Sequence, residues 1–128
     1  MMRRYWLLVA LALGACKTAP REAGSLLPAT VAGAWRRSSL RAILPPQPKV
    51  TRAFEADYDG PGRVTVDLFE AVASGVAFEM TQHWREAADT VFFDKGEYFV
   101  VVKWRQTDRQ ALKAFIRELQ RELAERSR

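Results

Sequence analysis

Phe54-Glu55-Ala56-Asp57-Tyr58-Asp59-Gly60-Pro61-Gly62-Arg63-Val64-Thr65-Val66-Asp67-Leu68 is the stretch that decides the fold. Phe54, Ala56 and Tyr58 alternate with Glu55 and Asp57. Val64, Val66 and Leu68 alternate with Arg63, Thr65 and Asp67. A period of two belongs to a strand, because successive side chains point to opposite faces. Asp59-Gly60-Pro61-Gly62 between the two runs is turn-forming, since proline presets φ and glycine admits positive φ. The spacing predicts an antiparallel hairpin with one apolar and one polar face.

Downstream the period changes. Val72, Ala73, Val76, Ala77, Met80 and Trp84 recur at three and four, which predicts a helix over about 70–84. Thr90 to Phe93 is a short apolar strand, and Asp94-Lys95-Gly96-Glu97 is a hairpin turn with Gly96 at its left-handed position. Tyr98, Val100, Val102 and Trp104 lie on one face of the next strand, with Phe99 and Val101 on the other. A strand apolar on both sides is central to its sheet. Thr107 and Gln110 match a capping box, and Leu112, Phe115, Ile116, Leu119 and Leu123 form the apolar stripe of a last helix. The expected fold class is α+β: a four-stranded antiparallel sheet with two helices packed on one face, in the order β-β-α-β-β-α.

Upstream, Leu26 to Leu44 has no clear period, so a short strand and a short helix are both open there. Pro45-Pro46-Gln47-Pro48 ends whatever precedes it. In the expected arrangement Phe99 and Val101, with Phe69 and Phe93, point away from the helices. Either Leu26, Leu27, Val31 and Trp35 fold back over them, or Phe99, Val101, Trp35 and Phe93 form a surface for a partner or an apolar ligand.

Catalytic signatures are sparse. His83 is the only histidine and Cys16 the only cysteine, a poor set for zinc. Ala73-Ser74-Gly75 lacks the first glycine of a nucleophile elbow. Glu55, Asp57, Asp59 and Asp67 are clustered in sequence, and paired carboxylates can do acid–base work or bind calcium, but their alternation with apolar residues is what a solvated sheet face requires. Arg36, Arg37, Arg41, Lys49 and Arg52 make a basic stretch that would meet anionic headgroups or simply solubilise the surface. The net charge of +5 comes from mixed charges without a basic tract, which argues against a nucleic-acid partner. No catalytic residue, metal or cofactor is expected.

The start of the chain speaks to location. Met1-Met2-Arg3-Arg4 is a charged n-region and Tyr5 to Leu13 an apolar run too short to span a bilayer. Leu13-Gly14-Ala15-Cys16 closes it and resembles the lipobox of bacterial lipoproteins. The resemblance implies cleavage after residue 15, acylation of Cys16 and stable membrane anchoring through more than one chain. An ordinary signal peptide beside an unrelated cysteine is the plainer alternative. Lys17, where retained lipoproteins carry aspartate, implies the outer membrane with the domain facing the periplasm. The expected organisation is a signal at 1–15, lipidated Cys16 and a flexible tether over 16–25, and a single domain over 26–128 with its ordered core at about 50–125.

The order Leu26-Leu27-Pro28, Trp35-Arg36-Arg37, Val64 to Phe69, Ala77-Phe78 and Tyr98 to Trp104 also resembles a family of uncharacterised bacterial secreted proteins and lipoproteins. These are packing motifs and imply no chemistry. The chain departs from that pattern in its short Ser38–Pro48 segment and in Ala34 between Gly33 and Trp35. The expected function is therefore a membrane-anchored, non-enzymatic domain that binds an envelope protein, besides the processing and sorting machinery of lipoproteins. The alternative is a carrier or sensor of an apolar small molecule held against Trp35, Trp84 or Trp104.

Overall fold

The computed structural model describes residues 26–127; the expected signal, tether and Cys16 lie outside the described residues. The elements are β1 (Thr30–Val31), β2 (Trp35–Ala42), β3 (Val50–Asp59), β4 (Arg63–Ala71), α1 (Ser74–His83), β5 (Thr90–Lys95), β6 (Tyr98–Arg105) and α2 (Arg109–Arg126). The six strands form one sheet in the order β1-β2-β3-β4-β6-β5, every neighbouring pair antiparallel. The class is α+β, with the central hairpin where the alternation places it: Phe54 faces Leu68, Ala56 faces Val66 and Tyr58 faces Val64.

The expected four strands are corrected to six. The two additional strands precede the hairpin, and β2 is hard to see in sequence. Of Trp35-Arg36-Arg37-Ser38-Ser39-Leu40-Arg41-Ala42 only Trp35 is fully buried. A bulge between Arg37 and Ser39 then breaks the period of two. The core consequently starts at residue 26, since Leu26, Leu27, Val31 and Trp35 are all buried.

The placement of both helices on one face is also corrected: α1 and α2 lie on opposite faces. Leu112, Phe115, Leu119 and Leu123 of α2 join Phe54, Ala56, Tyr58, Val64, Val66, Leu68, Val100 and Val102 in the larger core. Leu26, Leu27, Val31 and Trp35 belong to this side too, rather than to the face of Phe99. Phe115 sits edge-on to Trp35 and Tyr58, at centroid distances of 5.4 and 5.1 Å. α2 touches both β1 and β5, the two edges of the sheet, so the sheet curls around it as a half-barrel. On the outer face Ala77 and Met80 of α1 pack with Ala53, Phe69, Phe99 and Val101. A strand as apolar on both sides as β6 needs a cover on each, and one helix cannot supply both.

Local signals hold in part. Gly96 has φ +55 in the β5–β6 turn, as expected. Gly60 and Gly62 are not at positive φ; they are needed for close approach instead. A Cβ on Gly62 would lie 2.6 Å from Thr107 Cα, and one on Gly60 would lie 3.2 Å from the Trp35 ring. The α2 cap is Asp108, whose side chain accepts from Ala111 N at 2.9 Å, not Thr107. Thr107 Oγ1 instead donates to Arg105 O at 2.8 Å. Among the described residues, no helix is long and apolar enough to cross a membrane.

Candidate functional site

α1 is only 10 residues long and covers one end of the outer face. The other end stays open, and its side chains come from central strands. Cross-strand register builds it in rows. The first row runs Arg41 (β2), Glu55 (β3), Asp67 (β4) and Val101 (β6); the second runs Ser39, Asp57, Thr65, Lys103 and Thr90. The third runs Arg36, Asp59, Arg63 and Arg105, at the end of the sheet. From these rows Arg41, Glu55, Asp57, Asp59, Arg63, Thr65, Thr90, Lys103 and Arg105, together with Ala88, Asp89 and Trp104, line an open depression of about 840 Å³.

The charges are interlocked. Asp57 accepts from Ser39 Oγ and Thr65 Oγ1, both at 2.7 Å, and from Arg41 Nη1 at 3.2 Å. Burial alone would raise the Asp57 pKa, but those two hydroxyls and Arg41 hold it below the usual carboxylate range. Arg41 also pairs with Glu55. Asp67 is the exceptional member. Its side chain is only 14% exposed, Lys103 Nζ lies 3.2 Å from Oδ2, and buried Oδ1 accepts no hydrogen bond.

Glu55 faces Asp67 across the β3–β4 ladder. Two like charges directly opposite one another are unfavourable, and burial penalises each of them. The two carboxyls are shifted in opposite directions. Burial, and then the neighbouring Glu55, push Asp67 up to about 7. Glu55 is held below its ordinary value by the hydrogen bond from Asp67 and by Arg41.

The residues expected to form an apolar surface are placed elsewhere. Phe99 and Val101 are buried, with Phe99 fully enclosed under α1 and Trp84. Its ring lies 4.9 Å from that of Trp84 and 5.9 Å from that of Phe69. Trp35 is buried on the opposite side, its Nε1 donating to Ala111 O at 3.3 Å. Phe93 packs on the α2 side as well; Phe92, one residue earlier, is the neighbour of Phe99. Phe99, Val101 and Trp35 are thus buried in the two cores, and Phe93 is partly buried against the larger one. His83 is exposed at the end of α1, with Nδ1 2.9 Å from Glu79 O. Cys16 lies outside the described residues.

The basic stretch is dispersed rather than pooled. Arg37 reaches Leu27 O, Arg41 the carboxylates, and Arg52 both Glu70 and the Phe54 ring, while Arg36 is exposed at the sheet end. The open cluster itself draws on four acids that the sequence places on a solvated sheet face. The missing signal was three-dimensional: α1 and Trp84 bury the neighbouring half of that face, around Phe69, Phe99 and Val101. Among the described residues, no group of three or more His, Cys, Asp or Glu is placed to hold a metal ion. No family model, curated protein or solved structure matches the chain significantly.

Proposed function

We propose that this chain is a lipid-anchored protein of the bacterial envelope, facing the periplasm, whose domain binds another envelope protein through the open polar half of its outer face. The observation that carries this reading is Asp67. Central strands of a small domain gain stability from apolar residues, and a mostly buried carboxyl opposite another carboxyl costs stability. Local conflicts of this kind concentrate at functional sites. The surrounding Arg41, Glu55, Asp57 and Lys103 offer donors and acceptors in a fixed pattern, and this favours recognition of a polar partner surface.

Binding, rather than catalysis, suits the cluster because its charges are matched to one another. Glu55 and Asp57 share Arg41, and Asp67 meets Lys103. Of the three tryptophans in the carrier reading, Trp35 is packed in the core and Trp84 against Phe69 and Phe99, while Trp104 lines the 840 Å³ depression among largely charged residues, a lining that favours a polar partner over an apolar ligand. Anchoring rests on the Leu13-Gly14-Ala15-Cys16 sequence.

Native mass spectrometry of the protein extracted gently from its membranes tests both parts. Acyl mass on Cys16 and a co-purifying protein, lost with Lys103→Glu, are expected. A chain without acyl mass contradicts the anchor. A partner retained by Lys103→Glu contradicts the binding face, and an added small mass would return the carrier reading.

A further inference from the structure

The row at the end of the sheet carries a conflict of its own. Arg63 and Arg105 are direct register partners on β4 and β6, with side chains on the same outer face. Like charges directly opposite are unfavourable in a sheet. Arg63 has one distant ion pair, 4.0 Å to Asp59, with both groups largely exposed. Arg105 and Arg36 have no ion-pair partner among the described residues. Asp59 is thus the single acid in a row of three arginines, with Asp89 on the rim beside it. Asp108, nearby, is engaged as the α2 cap.

This end is also where the chain comes in. β1 pairs Thr30 with Arg36 and Val31 with Trp35, Pro28 O accepts from Tyr58 Oη at 2.8 Å, and Leu27 O accepts from Arg37. The first described residues therefore lie within a few positions of the arginine row. Nine residues, 17–25, separate Cys16 from Leu26, a span of at most roughly 35 Å from one to the other when fully extended.

We propose that Arg36, Arg63 and Arg105 form a docking edge for the phosphates of an anionic lipid surface, which holds the anchored domain with its polar face turned sideways to the membrane. The proposal rests on the lipid anchor inferred above. Exposed arginines on an open edge bind a free ion weakly, because nothing encloses it. Near an anionic leaflet each contributes about fivefold in partitioning, within a Debye length of about 8 Å. A tether makes that contact intramolecular, so weak contacts suffice. An occupied edge also relieves the repulsion between Arg63 and Arg105.

The test uses the full acylated chain in vesicles of phosphatidylcholine alone or with phosphatidylglycerol, read by amide hydrogen exchange. Slower exchange over 59–63 and 103–107 is expected only with phosphatidylglycerol. It should be lost in 1 M salt and in the Arg63→Gln/Arg105→Gln variant. That variant should melt no lower than the parent, since it removes a like-charge pair, which separates lost docking from lost folding. Equal exchange in the two vesicle types would overturn the proposal. The same protection from inorganic phosphate in neutral vesicles would overturn the lipid assignment in favour of a free-phosphate site. If intact mass shows no acyl chain, the anchor fails, and vesicle sedimentation decides the edge alone. A drop of about 25-fold in binding to anionic vesicles for the double variant supports it, and no preference for anionic vesicles overturns it.

Discussion

Glu55 and Asp67 face one another across β3 and β4, and the burial of Asp67 together with this pairing raises its carboxyl to about 7. The relationship makes stability depend on pH. Asp67 is raised from 3.8 unfolded to about 7 folded, so the native state keeps a proton that the unfolded chain has released. Its contribution is fully present below about pH 4 and is lost as pH rises through about 7. Glu55, lowered by the same contact, works in the opposite sense and offsets part of this. A net loss of about 2 kcal/mol between pH 4.5 and 8 is expected, read as a falling urea midpoint at constant slope. A stability that rises across that interval would contradict the raised Asp67 carboxyl.

Asp67→Asn should remove most of this dependence. The amide needs no ionisation and can still donate toward Glu55. At pH 8 the variant should be more stable than the parent by about 1–2 kcal/mol. Glu55→Gln should flatten the profile only in part, because burial is the larger cause of the Asp67 shift. Paired denaturation curves at pH 5 and pH 8 separate the two variants.

Phe99 and Phe78 make a contrast in burial on the outer face. Phe99 is fully enclosed beneath α1, while Phe78 on α1 is 54% exposed. Phe99→Ala should cost about 3–5 kcal/mol, and Phe78→Ala within about 0.5 kcal/mol. Thermal melts check the difference. A mild Phe99→Ala would mean that α1 does not close over this face.

Gly62 and the start of α2 should behave as one joint. A methyl at Gly62 meets Thr107 Cα at 2.6 Å and Thr107 Cβ at 2.7 Å. Gly62→Ala should therefore cost about 1–3 kcal/mol, and Thr107→Ala should not restore it, because the clashing backbone carbon remains. Asp108→Ala should cost about 1 kcal/mol through the lost cap, whereas Thr107→Ala alone should cost less. Stability measurements on the four variants decide the assignment.

The contrast between what the sequence revealed and what it hid follows from the range of each signal. The hairpin was legible because Phe54 to Leu68 alternates without interruption and the turn residues sit between the runs. β6 was legible as central because it is apolar on both sides. Which helix covers which side was not, since parity relates residues within a strand and says nothing about the crossing of α1. The face of Phe93 is hidden in the sequence for a related reason. The β5–β6 turn sets the register, pairing Phe93 with Val100 and Phe92 with Val101, and a shift of one residue exchanges the two faces. β2 was hidden by its bulge and polar composition. The four acids were visible, but their grouping with Arg41 and Lys103 depends on β2 and β6 flanking the hairpin.

The most direct test of the account places a photo-crosslinking residue at Thr65, inside the polar face, or at Lys113, on exposed α2, in the full chain in living cells. The account predicts a discrete protein adduct from Thr65, lost with Lys103→Glu, and none from Lys113. An adduct from Lys113 with a silent Thr65 would place the binding surface on α2 and contradict the central claim.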